Sequence, residues 1–213
     1  MNVKRIPLGS YGANCYVLSG NGELAVIDPG EYRGILAAEL SASVAAGGTL
    51  KYILLTHGHF DHILGVWELK KEYPDAVVAV HERDRLCLTD REASLLGEQS
   101  ARLFHPVDAD ILLTDGQELE LCGTALKVIS TPGHTKGGVC FVCESEHCVF
   151  TGDTLFCKTV GRTDFPGGST EELGCSIERL MELDDSYAVF PGHNRATTIG
   201  AERTGNRFTR RKR

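Results

Sequence analysis

The stretch Thr56-His57-Gly58-His59-Phe60-Asp61-His62 places three imidazoles and one carboxylate within seven residues. It follows the apolar run Tyr52-Ile53-Leu54-Leu55, which predicts a buried strand, and precedes apolar residues at helical spacing from 63 to 69. His57 and His59 are two positions apart, so in extended chain their side chains point the same way and can share one ion. Asp61 and His62 are adjacent and diverge, which suits a second ion nearby. The stretch therefore predicts a metal site on a turn between a strand and a helix.

Three later apolar runs end on the same kind of residue. VISTPGH ends at His134, CVFTGD ends at Asp153, and AVFPGH ends at His193. In each run a glycine precedes the ligand-type residue, where the backbone can turn sharply and approach an ion closely. If these strand ends converge, they complete one set of predicted metal ligands: His57, His59, Asp61, His62, His134, Asp153 and His193.

This set predicts two divalent metal ions. We assign His57, His59 and His134 to one ion, assign Asp61, His62 and His193 to the other, and place Asp153 as the bridge. Imidazoles with carboxylates suit zinc best, and also iron or manganese. Two such ions would keep a bridging hydroxide deprotonated near neutral pH, ready to attack a carbonyl carbon. Asp61 and Asp153 would be catalytic through this metal-bound hydroxide, so the predicted chemistry is hydrolysis.

Ordinary explanations exist for single members of the set. Asp61 could be only the N-cap of the following helix, and an isolated histidine is more often a surface or core residue than a ligand. Four such residues in one short loop favour the metal site. The chain also carries no nucleophile elbow, phosphate-binding loop or dinucleotide fingerprint that would indicate another chemistry.

Length and composition predict one soluble domain. The chain has 213 residues and a net charge of −7, which gives no electrostatic footprint for nucleic acid or an anionic membrane. We expect a domain over residues 1–206, a frayed basic tail over residues 207–213, and a cytoplasmic location, since no long apolar segment is present. The eight cysteines are expected to be free thiols, including the Cys140-x-x-Cys143 pair in an apolar strand. The oligomeric state stays open.

The order of predicted elements indicates an α/β (α+β) class with mixed sheets covered by helices and the site at one end of the strands. An Asn-Gly turn at residues 21–22 predicts a hairpin. The predicted strands cover residues 14–19, 24–28, 52–55, 76–80, 118–122, 124–130, 138–144, 148–152 and 188–190. The predicted helices cover residues 33–46, 62–72 and 170–183.

The motif THGHFDH, with His134, Asp153 and His193 downstream, resembles the metallo-β-lactamase superfamily. That resemblance implies a four-layer αββα sandwich with a binuclear site at one edge of its two sheets. The segments TPGHT, GDTLF, GRTDF and PGH are similar to the glyoxalase II (hydroxyacylglutathione hydrolase) group, and the closing TTIGAER resembles its short, single-domain members. The implied activity is cleavage of a small-molecule thioester such as S-lactoylglutathione.

The same resemblance implies substrate-binding residues. Arg162 stands where the glyoxalase II group places a basic side chain for the glutathione moiety, and Lys158 lies close by in the sequence. Two-domain members also carry a C-terminal helical domain that supplies glutathione-binding residues. Twenty residues follow His193, so we expect no such domain here, and the acyl and thiol groups of the substrate stay open.

Two alternative functions remain. Persulfide dioxygenases share this fold and the Gly-Arg-Thr-Asp segment, and they use one iron held by the first-site histidines and the bridging aspartate. A complete second site favours the binuclear hydrolase over them. The other alternative is a non-catalytic metal-binding or redox-sensing module in which the eight thiols act as the sensor.

Overall fold

The first half of the chain forms a six-stranded sheet in the computed structural model, which describes residues 1–209. Its strands are β1 (Asn2–Leu8), β2 (Ala13–Gly20), β3 (Glu23–Ile27), β4 (Thr49–Leu54), β5 (Val77–His81) and β6 (Ile111–Leu113), each paired with the next. β1 to β3 pair antiparallel, and β3 to β6 pair parallel. The β2–β3 hairpin turns at Asn21 and Gly22, both with positive φ, as the Asn-Gly signal predicts.

The second half forms another six-stranded sheet and a small hairpin. The strands are β7 (Glu118–Leu121), β8 (Thr124–Ser130), β9 (Val139–Cys143), β10 (Cys148–Gly152), β11 (Leu155–Phe156), β12 (Thr159–Val160), β13 (Ala188–Pro191) and β14 (Thr197–Thr198). The sheet order is β14-β13-β10-β9-β8-β7, while β11 and β12 pair only with each other. β10 and β13 are parallel, and β8 runs in the same direction because β9 is antiparallel to both of its neighbours. The carboxyl ends of β8, β10 and β13 therefore lie at one edge.

Helices cover the outer faces of both sheets. They are α1 (Gly34–Ala45), α2 (Phe60–Ile63), α3 (Val66–Glu72), α4 (Thr170–Leu180) and α5 (Ile199–Gly205), with 3-10 helices at Glu82–Leu88 and Glu98–Leu103. Ser169 caps α4 by accepting a hydrogen bond from the Glu172 N–H. None of the described helices is long and apolar enough to cross a membrane.

Three apolar layers hold the molecule together, and alternation along β2 shows how. Cys15 and Val17 pack with α1 and α3 on the outer face of the first sheet, whereas Tyr16 and Leu18 pack between the two sheets. A third layer joins the outer face of the second sheet to α4 and α5. Successive side chains of a strand point to opposite faces, so each sheet buries both faces. The result is the four-layer αββα sandwich that the family resemblance implies.

Several elements differ from the sequence prediction. The helix expected over residues 62–72 is two helices, α2 and α3, because Gly65 packs against the 29–32 segment, where an added Cβ would lie 2.6 Å from Pro29 O. β1, β6, β14 and α5 were not predicted from the sequence. Cys140 and Cys143 face opposite sides of β9, and all eight cysteines are free, as expected.

The expected frayed tail is ordered where the structure describes it. Residues 207–209 form a turn, in which Thr209 Oγ1 donates a hydrogen bond of 2.7 Å to Glu202 O. The packed chain therefore continues past residue 206, the boundary expected for the domain. Residues 210–213 of the expected tail lie outside the described residues.

Candidate metal centre

The predicted ligands meet at one edge of the sandwich. His57 and His59 lie in the loop after β4, and Asp61 and His62 lie on α2, which follows that loop in the chain. The remaining three predicted ligands follow the carboxyl ends of strands in the second sheet: His134 after β8, Asp153 after β10 and His193 after β13. The edge where both sheets end therefore collects side chains from four separate segments of the chain.

These side chains form two groups in the arrangement that the sequence predicts. One ligand atom each from His57, His59 and His134 lies within 4.8 Å of the others, and the same holds for Asp61, His62 and His193. Asp153 lies between the groups: Oδ2 is 3.5 Å from His134 Nε2, and Oδ1 is 3.5 Å from His62 Nε2. Asp153 is thus close to a histidine of each group.

The hydrogen bonding of three buried atoms indicates whether cations would fit the site. His57 Nε2, His134 Nε2 and Asp153 Oδ1 are buried and have no hydrogen-bond partner among the described residues. A buried polar atom left without a partner costs about 1–3 kcal/mol. A cation coordinated by these lone pairs would remove that cost, so the donor set fits a divalent metal.

Asp28, which sequence analysis did not identify as part of the site, orients His62. It is buried at the end of β3, and its carboxylate accepts hydrogen bonds from Thr56 N (2.8 Å) and Thr56 Oγ1 (2.6 Å). Asp28 Oδ2 also lies 3.0 Å from His62 Nδ1. Because a carboxylate only accepts, this contact keeps the proton on Nδ1 and leaves the Nε2 lone pair of His62 for a metal. Although Asp28, His57 and His62 are close enough to form a third group, both Asp28 oxygens already accept from Thr56.

One backbone carbonyl and a second buried acid also hold residues of the site in position. Arg162 O lies 2.7 Å from His134 Nδ1, so His134 likewise presents Nε2 to the site. Asp84, also missed from the sequence, is buried and accepts from Gly58 N (3.0 Å) and Gly137 N (2.7 Å). It ties together the two loops that carry the first group of histidines. The only sequence signal for Asp28 is its place between a strand and Pro-Gly, and Asp84 has none.

At Gly152 and Gly192, steric contacts explain why a glycine directly precedes a predicted metal ligand. Gly152 has φ +47°, and an added Cβ would overlap Thr56 Oγ1. At Gly192 an added Cβ would overlap Asp153 Oδ1 and lie 2.9 Å from His62 Cε1. The polypeptide therefore approaches the ligand groups so closely that no side chain fits between them.

The electrostatics of the two groups differ. Burial, with the neighbouring His134, lowers the pKa of His59 to about 3, which keeps this imidazole in the neutral form that binds metals. Burial also lowers the pKa of His62, but Asp153, Asp28 and Asp61 outweigh it and raise the pKa to about 10. Burial raises the pKa of Asp61, yet the hydrogen bond from His193 and the charge of His62 bring it down to about 2. Positive charge is thus strongly favoured at the second group.

A cavity of about 740 Å³ opens onto both groups, with Phe156, Phe165 and Arg162 among its walls. The Arg162 guanidinium is held by Asp164 through Nε (2.7 Å) and Nη2 (2.6 Å), and it stacks 3.8 Å from the Phe165 ring centroid. Lys158 is exposed on the β11–β12 turn and is not among the described residues that line this cavity. The structure therefore brings Arg162, but not Lys158, to the predicted centre.

Known proteins share this architecture over the whole chain. Hydroxyacylglutathione hydrolase GloC of Haemophilus influenzae is 34% identical over 216 residues, which cover 98% of each chain. The crystal structure of BLEG-1 B3 metallo-beta-lactamase matches with a TM-score of 0.88 at 34% identity, covering 98% of this chain and 99% of that one. A protein crystallised in a di-iron-bound form matches with a TM-score of 0.82 at 33% identity, covering 97% and 100%.

The family model that matches this chain spans residues 8–193, from the end of β1 to the last predicted ligand. Its fold binds divalent metals, and its members are mostly hydrolytic enzymes. The αββα sandwich, the histidine-rich edge and these similarities all agree. The chain therefore belongs to the metallo-β-lactamase superfamily.

Proposed function

We propose that this protein is a metal-dependent hydrolase that cleaves a small-molecule thioester such as S-lactoylglutathione. The observation that carries the proposal is Asp153, whose two carboxylate oxygens face the two groups of ligand-type side chains. The similarity to a hydroxyacylglutathione hydrolase over nearly the whole chain supports a thioester as the substrate.

Each group of residues has a separate task in this proposal. His57, His59 and His134 hold one cation, Asp61, His62 and His193 hold the other, and Asp153 contacts both. Two divalent cations, when bound, lower the pKa of a shared water and polarise a carbonyl oxygen. Asp28 and the Arg162 carbonyl fix the ring nitrogens that face the cations. We propose zinc from the ligand types, with iron or manganese as the alternatives.

The cavity supplies the substrate site. Phe156 and Phe165 give it apolar walls that exclude water from the acyl group, and Arg162 adds a positive charge at the rim. Because Asp164 already holds the guanidinium, Arg162 offers only part of its charge to an anionic substrate. We therefore expect a modest contribution from Arg162 to binding and none from Lys158.

Two other activities compete with this proposal. The similarity to BLEG-1 favours β-lactam hydrolysis, which attacks an amide carbonyl by the same chemistry. A persulfide dioxygenase would use one iron at His57, His59, His134 and Asp153, residues that are all in place here. The two activities differ from thioester hydrolysis in the metal they need or the bond they break, so one set of assays separates them.

The test combines elemental analysis of protein purified without added metal with three assays on the same sample. The assays measure S-lactoylglutathione hydrolysis, cleavage of a chromogenic cephalosporin, and oxygen consumption on glutathione persulfide. About two equivalents of metal with thioester turnover are expected, and Asp153→Asn should lose both. Turnover of the cephalosporin alone, or one equivalent of iron with oxygen consumption, would replace the proposed function with the corresponding alternative.

A further inference from the structure

A second cavity borders the metal centre at Asp61. It has a volume of about 410 Å³ and shares Tyr11, Phe60 and Asp61 with the larger cavity. It runs between the 8–11 loop, the 30–33 segment and the 3-10 helix Glu98–Leu103. Such a volume is within the range of about 300–1,000 Å³ typical of small-molecule sites. The two cavities therefore share a wall at Asp61, beside the predicted metal centre.

The carbonyl carbon of a thioester carries two groups, the acyl chain and the thiol arm, and these point in different directions. A carbonyl held at the centre would direct one arm into each cavity. We propose that the second cavity binds the thiol arm, and that Arg33 and Arg102 bind carboxylates of that arm. This inference rests on the proposed thioesterase function, and it names the residues that recognise the thiol.

The two arginines are the cations in these cavities that are free to bind an anion. Within residues 1–209, neither Arg33 nor Arg102 makes a hydrogen bond or an ion pair, and both are exposed. Arg162 is instead held at two nitrogens by Asp164. His105, which also lines the second cavity, stacks on Trp67 with ring centroids 4.2 Å apart. A carboxylate entering the second cavity would thus meet two guanidinium groups that have no ion-pair partner among the described residues.

The acidic groups of the cavity define the rest of the ligand. Its acids are Asp61, which faces the metal centre, Glu31, which is exposed, and Glu68. Glu68 Oε2 is buried and has no hydrogen-bond partner among the described residues. A buried carboxylate oxygen in this state favours a positively charged donor such as an ammonium group.

Two free guanidinium groups and one unsatisfied carboxylate match a thiol with two carboxylates and one amino group. A γ-glutamyl tripeptide thiol such as glutathione has this pattern of charges. Leu8, Leu64 and Leu96 line the same cavity and provide apolar surface for the stem between the charged ends. The cavity therefore supplies contacts for a glutathione arm.

The experiment compares two substrates with the same acyl group. S-lactoylglutathione has the charged thiol arm, and S-lactoyl-N-acetylcysteamine has an uncharged one. We expect Arg33→Gln and Arg102→Gln each to lower the ratio of kcat/KM for the charged over the uncharged thioester by about tenfold, mainly through KM. Arg85→Gln, the same change at an exposed arginine outside both cavities, should keep the wild-type ratio.

Calorimetric binding of S-methylglutathione to the metal-loaded protein is the second readout. The double variant Arg33→Gln/Arg102→Gln should raise its Kd by at least about tenfold. An unchanged ratio and Kd in the double variant, or a loss of charge selectivity in Arg162→Gln instead, would overturn the inference. If the wild-type protein cleaves neither thioester, the proposed function fails and the binding experiment alone decides whether this cavity takes glutathione.

Discussion

Replacing Asp28 by Asn should weaken one metal position without removing a ligand. In the wild-type protein the Asp28 carboxylate faces His62 Nδ1 at 3.0 Å and keeps the proton on that nitrogen. In Asp28→Asn the amide oxygen would still accept from Thr56 N, which leaves the NH₂ group facing Thr56 Oγ1 and His62. An NH₂ group donates, so His62 Nδ1 would have to accept and the ring proton would move to Nε2. That nitrogen could then no longer coordinate a metal.

The size of the effect follows from the role of the contact. Groups that orient a metal-binding histidine typically contribute about 10–100-fold to metal affinity, which is about 1.4–2.7 kcal/mol. We expect this loss at the position formed by Asp61, His62 and His193, while the group of His57, His59 and His134 keeps its ion. Thioester turnover should fall in parallel, because it needs both positions.

The assay is competition with a chromophoric zinc chelator, read as separate affinities for the first and second equivalents. Long-range proton–nitrogen NMR spectra of the histidine rings would report directly on the tautomer of His62. Asp110→Asn is the matched control, because Asp110 also accepts from a backbone N–H (Val78, 2.8 Å) but is not part of the metal centre. Unchanged affinity for the second equivalent in Asp28→Asn, with His62 still protonated on Nδ1, would refute the reasoning.

Three further predictions concern the ligands, a glycine and a surface acid. His59→Ala and Asp153→Ala should each abolish turnover and lower the bound metal while the circular dichroism spectrum stays native; full activity in either variant would contradict the binuclear proposal. Gly192→Ala should lower bound metal, because its Cβ would overlap Asp153 Oδ1, whereas Gly174→Ala in α4 has open space and should stabilise the fold by about 0.5–1 kcal/mol in urea unfolding. Burial raises the pKa of Asp110, but the Val78 N–H and Lys70 outweigh it and lower the pKa. Asp110→Asn should therefore cost less than about 1 kcal/mol of unfolding free energy at pH 7. The difference from wild type should shrink as the pH falls below the usual aspartate pKa; a difference that grows on acidification would contradict the sign.

The sequence predictions failed where local signals are weak. β1 and β6 are edge strands that bury little surface, and β1 contains charged residues and Pro7, so neither shows a clear apolar pattern. The break between α2 and α3 depends on the contact of Gly65 with the 29–32 segment, which is distant in the chain. Asp84 joins two loops that lie 26 and 53 residues away from it in the chain, and no local sequence pattern encodes such contacts.

The strand-to-ligand pattern, in contrast, was readable from the chain. Buried strands are apolar runs, and a ligand-type residue directly after such a run lies at a sheet edge, so local spacing predicted which side chains meet there, while the two-sheet layout was implied by the family resemblance. Only the tertiary structure decided that Asp28 orients His62 and that Asp164 engages Arg162. It also revealed the second cavity, with Arg33 and Arg102 brought together from segments far apart in the chain. The physical reason is that distances between side chains on different loops depend on how the two sheets and their helices pack, whereas the apolar pattern and the residue that follows it are properties of each segment alone.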